Sequence, residues 1–357
     1  MNKEKNYGIA IDIGTTNIVM MLVDLHRKKS IAELTEPNVN ARFGKDVMSR
    51  ITHACRGRLR EMSDELRAQL DSMIGVMTAS ECYDVERIVI ACNTVMTHIL
   101  LSEDCTNLGK YPFSPVHVSS TDVMSTDIRI NCLSCPVHIT AGFSAYVGGD
   151  VRSGLDYINL PKNNEINLFV DMGTNAEIVL SDGKKNIMYV TSAAAGPAFE
   201  MAGPEHASDY ISKLYELKKN GIVDETGLLS DKYFETGYEG MTQNRIRTIQ
   251  SAKAAIRAGM DIILNKCGID ASVIDSVYVA GVFGLKLDID AAIGIGLLRE
   301  EWKTKVVVVG NTSLNGAVKK LLSSGDSLYV ESIDFADEIY LSNEPEFEQL
   351  YLDNMYL

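Results

Sequence analysis

The chain has 357 residues, 46% hydrophobic and 23% charged, enough for two domains that each bury a core, and a formal net charge of −14. That charge disfavours nucleic acid or an anionic membrane as main partner, because both would repel it. No apolar run approaches the ~18 residues of a membrane span, and Asp12 interrupts the first one, so neither signal peptide nor anchor is expected and the reading is cytoplasmic. The opening "YGIAIDIGTTNIVMMLVDL" reads as a hairpin, strand from Gly8 to Ile13, a polar turn at Gly14 to Asn17, and strand again from Ile18 to Asp24. After a loop around Pro37, "GKDVMSRITHACRGRLREM" and "SDELRAQLDSMIGVM" space apolar residues three and four apart, as helices do. "VERIVIACN" is a buried strand leading into the helix "VMTHILLS", and "DVRSGLDYI" is a further helix ending before Pro161. The polar "KNNE" that follows marks the expected boundary.

At Asn167 the plan restarts: "NLFVDMGTNAEIVLSDG" places Asp171 159 positions after Asp12, at the same point of the same strand, turn and strand. "TIQSAKAAIRAGMDIILNKCG" is a helix stopped by Gly268, "IDSVYVAGVFG" a buried strand running into glycines, and "TKVVVVGNTSLNGAVKKLL" a strand, loop and helix. Alternating strands and helices give an α/β fold with mixed sheets and two related halves.

The turn has a chemical logic. Glycine lets backbone N–H groups approach a phosphate, Thr15 and Thr16 add hydroxyl donors, and Asp12 can hold a hydrated magnesium ion. Asp171, Gly173, Thr174 and Asn175 repeat the set, so two opposed hairpins describe a nucleotide clamp. Either stretch alone is better read as an ordinary hairpin turn, where Asp, Gly, Thr and Asn are common; finding both at equivalent places in two halves, followed by "YVAGVFG", favours the clamp. "VAGVFG", with Gly281 and Gly284, suits an adenosine lying on bare backbone, although a plain strand-to-helix connection explains it too. No G-x-x-x-x-G-K-[ST] pattern occurs. The seven cysteines, at 55, 82, 92, 105, 132, 135 and 267, fit reduced thiols. Cys132 and Cys135 form a C-x-x-C with neither a second pair nor a nearby His pair, so two chance cysteines are the simpler account.

These residues resemble the ATPase superfamily of actin, sugar kinases and Hsp70 chaperones, and more closely the ATPase part of the reductive activators of corrinoid enzymes. "RFGKDVMSRI", "CNTVMTHILL", "LGKYPFSP", "SAAAGPAFEMAG", "AKAAIRAGMDIIL", "IGLL", "GNTSLNGA" and "LSNEPEF" join the two hairpins and "YVAGVFG" in family order over nearly the whole chain. The resemblance implies two actin-like (ribonuclease H-like) domains with mixed sheets around a nucleotide cleft, over 6–160 and 166–350, with the last helices an option for packing back on the first. It implies ATP or ADP with Mg2+ at Asp12, Gly14, Thr15, Thr16, Asn17, Asp171, Gly173, Thr174, Asn175, Gly196, Gly281 and Gly284. Asp12 and Asp171 are then the catalytic and metal-holding residues. The implied function is an ATPase that helps return a corrinoid protein from Co(II) to Co(I) in methyl transfer. The partner is that corrinoid protein or its methyltransferase complex, and a homodimer is suggested.

Neither a plant-type C-x₄-C-x₂-C run nor a clustered Cys₄ set is present, so no iron–sulfur cluster is expected and the electron donor would be a separate iron–sulfur protein. Three departures bear on activity: the glycine-rich segment after "FEMAG" is nearly absent, Val282 stands where the family has a second glycine, and Cys92 precedes "NT" in place of glycine. A small-molecule kinase of the same superfamily and a non-catalytic nucleotide-binding regulator are the alternative readings.

Overall fold

The computed structural model describes residues 6–79, 83–162, 164–196, 207–281, 287–323 and 336–357. They fall into two compact units. The first comprises the chain through Leu160, rejoined at Thr312; the second comprises Pro161–Asn311 and the last residues.

In the first unit β1 (Tyr7–Ile13) and β2 (Asn17–Asp24) pair antiparallel, Asp12 opposite Val19 and Ile13 opposite Ile18. Only a loop is expected next, but β3 (Lys29–Pro37) is an edge strand with nearly all side chains exposed, so no apolar alternation marks it. The helical stretch that follows is two helices, α1 (Val47–His53) and α2 (Leu59–Ala79), broken at Gly57, whose φ of +84° lies in the left-handed region. β4 (Val85–Cys92) lies parallel to β1 and leads into α3 (Thr94–Leu101). β5 (Thr121–Met124), β6 (Pro136–Ile139) and α4 (Gly149–Tyr157) complete the segment, and the sheet order is β3-β2-β1-β4-β6-β5.

Alternation along β1 sends Ile9, Ile11 and Ile13 to a core with residues of α1, α2 and α3, and Ala10 to the other face. There Ala10 and Ala91 meet Leu314, Ala317 and Leu321 of a late helix, Thr312–Ser323, reached only after Pro161–Asn311 of the second unit. Small residues set that approach: a Cβ added to Gly8 would fall 2.8 Å from Leu321. Burying Leu321 there contributes about 2 kcal/mol.

The second unit holds β7 (Ile166–Met172), β8 (Ala176–Asp182), β9 (Ile187–Ala193), α5 (Ala207–Lys219), α6 (Gln243–Cys267), β10 (Ser276–Ala280), α7 (Ile289–Gly294), β11 (Val306–Gly310) and, beyond the returning helix α8 (Thr312–Ser323), β12 (Asp337–Glu338) and α9 (Phe347–Asp353). The order is β11-β10-β7-β8-β9-β12. Its first five strands, read from β9 to β11, repeat β3-β2-β1-β4-β6 in sequence and direction: antiparallel, antiparallel, parallel, parallel. α6 forms because Ile246, Ile249, Ile256, Met260 and Ile263 recur on one buried stripe. Thr242 caps its start by accepting from the Arg245 amide. Gly268, at φ +62°, ends it through N–H bonds to the Asn265 and Leu264 carbonyls. No described helix is long and apolar enough to cross a membrane.

Candidate functional site

In the first unit the turn of Gly14, Thr15 and Thr16 is closed by the Gly14 amide donating to the Asn17 carbonyl at 2.9 Å. Only glycine fits at its head, because an added Cβ would sit 2.8 Å from that same oxygen. All three turn carbonyls are bound from behind. The Asn38 side chain donates to Gly14 O at 2.8 Å, the Asn38 amide to Thr16 O at 2.8 Å, and the Arg50 guanidinium to Thr15 O. Arg50, fully buried in α1, also donates to the Gly44 carbonyl at 3.2 Å. Asn93 caps α3 through its Oδ1 and turns its Nδ2 to the Thr15 hydroxyl at 3.2 Å. In a trans peptide N–H points opposite to C=O, so binding the carbonyls directs the Thr15 and Thr16 amides away from this clamp, as an anion-binding turn requires. Thr16 and Asn17 are exposed at the tip.

Asp12 closes the arrangement. Its Oδ1 accepts from the Ser313 hydroxyl, in the first turn of α8, at 2.8 Å. Asp150, in the first turn of α4, is close enough to feel its charge. Burial, and after it the Asp12 charge, push the Asp150 carboxyl up to about 7. Two carboxyls that disfavour each other's ionisation suit a cation, which relieves both. The sequence reading missed Asp150, Arg50, Asn38, Asn93 and Ser313. A signal for Asp150 existed in the two glycines before it: a Cβ on Gly148 would fall 2.4 Å from Asn93 Cα, and one on Gly149 2.4 Å from Thr140 O, so this turn is pressed onto the ends of β4 and β6.

In the second unit the Gly173 amide closes the equivalent turn by donating to Asn175 O at 2.8 Å, with Asp171 opposite Glu177 one pair back. Thr174 is buried, whereas its counterpart Thr15 is partly exposed. β10 runs parallel to β7 with Ala280 beside Asp171, which delivers Gly281 to the carboxylate. At φ +89°, a Cβ on Gly281 would lie 2.5 Å from Met172 O and 2.9 Å from Asp171 Oδ1. Gly196, three positions past the end of β9, has φ +71° with open space around it. Gly284, Val282 and the stretch after "SAAAG" lie outside the described residues.

Cys92 is fully buried in the first core, its thiol 3.2 Å from the Thr97 hydroxyl, and burial pushes that thiol up to about 12. Cys132 is exposed, with its amide donating to Asp71 at 2.7 Å, while Cys135 is buried. Among the described residues no group of three or more His, Cys, Asp or Glu could hold a metal ion.

Two family models tile the chain: the one described as RACo middle region over residues 7–163, and the one described as C-terminal domain of RACo, the ASKHA domain, over 165–209 and 228–357. A solved structure named reductive activator for corrinoid, iron–sulfur protein superposes with a TM-score of 0.90 at 29% identity, covering 100% of this chain and 67% of that one. The chain belongs to the reductive activators of corrinoid proteins. Within that family, the corrinoid activation enzyme RamQ of Eubacterium limosum is 26% identical, over 99% of this chain and 70% of its own. A Methanosarcina barkeri protein named [Co(II) methylated amine-specific corrinoid protein] reductase is 20% identical over 97% and 76%. The chain has the actin-like α/β fold that its sequence motifs imply, with a mixed sheet in each unit. The break in the second match, 210–227, begins within α5, next to the segment that the sequence marks as shortened.

Proposed function

We propose that this activator binds ATP or ADP with magnesium through Asp12, Gly14, Thr15, Thr16, Asn17, Asp171, Gly173, Thr174 and Asn175. Gly196, Gly281 and Gly284 serve the nucleoside side. ATP use assists the one-electron reduction of a Co(II) corrinoid protein to Co(I) in methyl transfer, with electrons from a separate iron–sulfur protein. The observation that carries the reading is the repeated turn: the same Asp-x-Gly-Thr at the same position of two sheets that share the order of five strands. The fit is physical. Carbonyls bound from behind, a glycine that alone fits, and a carboxylate pair short of positive charge suit a magnesium-bound phosphate chain. When bound, magnesium supplies charge neutralisation on the phosphates. Asp12 and Asp171 would hold it through its water shell, and the turn amides would orient the oxygens.

ATP turnover and nucleotide-dependent melting should be measured with and without a Co(II) corrinoid protein found as a genomic neighbour. Saturating magnesium–ATP should raise the melting temperature, with about 2.7 kcal/mol of stabilisation at a hundredfold excess over Kd, and Asp171→Ala should abolish the rise while keeping the fold. Turnover stimulated by the corrinoid protein supports the reading. Turnover stimulated instead by a small alcohol or acid would make the chain a kinase, and binding without turnover a regulator.

A further inference from the structure

The start of α8 carries two hydroxyls that behave differently. Thr312 Oγ1 is buried with no hydrogen-bond partner among the described residues, whereas Ser313 Oγ reaches across to Asp12 Oδ1 at 2.8 Å. A serine hydroxyl has one proton to donate, and this one is given to the carboxylate rather than to its own helix. The helix that delivers it is fixed independently. The Ser313 carbonyl accepts from Ser153 Oγ at 2.8 Å. Gly316 lies against the Ser153 backbone so closely that a Cβ would fall 1.8 Å from its oxygen, and Lys319 donates to Asn159 Oδ1 at 2.6 Å and to the Asp156 carbonyl. α4, which supplies Ser153 and Asp156, also begins with Asp150. One helix crossing thus fixes both the helix that begins with Asp150 and the helix that presents Ser313 to Asp12.

We propose that Ser313 is a positioning residue for Asp12: its hydroxyl, donating to Oδ1, fixes the orientation of the carboxylate toward the magnesium-bound phosphates. This deepens, and rests on, the nucleotide reading above. A simple packing role would require the hydroxyl to serve its own helix, yet the bond spans 301 positions of sequence and ends on the one acid that the duplicated turn repeats.

The test compares Ser313→Ala, Ser313→Thr and two controls at the same crossing, Ser153→Ala and Thr312→Val, by titrating full-length protein with ATP in magnesium and in EDTA. Ser313→Ala should weaken magnesium–ATP binding about tenfold, the size of one hydrogen bond to a charged group, and leave ATP–EDTA binding within about twofold. Ser313→Thr, which keeps the hydroxyl, should restore most of it. Both controls should lower or raise the melting temperature without moving the magnesium effect. Equal losses in Ser153→Ala and Ser313→Ala, or Thr and Ala behaving alike at 313, would overturn the proposal. Wild type without any magnesium-dependent affinity would instead overturn the nucleotide reading itself. Should Ser313→Ala fail to fold, Ser313→Cys, close in size but a much weaker donor, takes its place: it should lose most of the magnesium-dependent affinity, and wild-type behaviour would overturn the proposal.

Discussion

Lys253 of the "AKAAI" stretch offers a quantitative test of how the second unit is built. It is 1% exposed in the middle of α6, its ammonium donates to the Tyr356 carbonyl, and its charged neighbours are Arg257 and Lys218. Burial first, then these two cations, push it down from 10.5 to about 7. The unfolded chain therefore holds this proton between about pH 7 and about pH 10.5 while the folded chain does not, and stability rises with pH through that window. Below it both states are protonated and the full cost of a buried charge is present. At about 1.4 kcal/mol for each tenfold change in proton affinity, wild type gains on the order of 2 to 3 kcal/mol between about pH 7 and about pH 9 from this group. Lys253→Met lacks the group and loses the bond to Tyr356, a cost of about 1 kcal/mol. Urea denaturation of both proteins at the two pH values cancels every other titration, since the difference of differences isolates residue 253. The variant should be the more stable protein near neutrality, and its advantage should shrink by about 2 to 3 kcal/mol by about pH 9. A wild type to variant difference that is the same at both pH values would refute the argument that Lys253 is held neutral by burial.

Gly281→Ala should cost about 2 to 4 kcal/mol, because the new methyl meets the Met172 carbonyl at a φ of +89°, and it should abolish nucleotide-dependent melting by displacing Asp171. Thermal melts with and without magnesium–ATP check it, and a fully stable variant with normal binding would contradict the packing described. Arg50→Met should destabilise by a similar amount, because it leaves the Thr15 and Gly44 carbonyls without their buried donor. Arg50→Lys should not rescue nucleotide affinity, since an ammonium lacks the planar fork that reaches both oxygens. Calorimetric titration of the two variants, read beside their melting temperatures, separates loss of the turn from loss of the fold.

The sequence by itself determined the elements that carry strong periodicity or unusual turn chemistry. Both hairpins, β4, α6 with its Gly268 stop, β10 and the strand–helix pair at the C-terminal end follow from apolar spacing and from glycine. The duplication too was legible, because an Asp-x-Gly-Thr turn between two buried strands is specific enough to be recognised twice. The edge strand β3 was not, since exposed side chains carry no burial pattern to read. Nor was the clamp behind the first turn. Asn38, Arg50 and Asn93 are ordinary cap or helix residues locally, and only the docking of α1 and α3 on the sheet turns their donors toward one set of carbonyls. Asp150 and Ser313 were least accessible of all. They come together around Asp12 because α8 returns to the first sheet after Pro161–Asn311 of the second unit, and α4 packs against it at Gly316. Local propensity records which residues can cap, turn or alternate, whereas the convergence of groups 138 and 301 positions from Asp12 depends on which faces bury against each other.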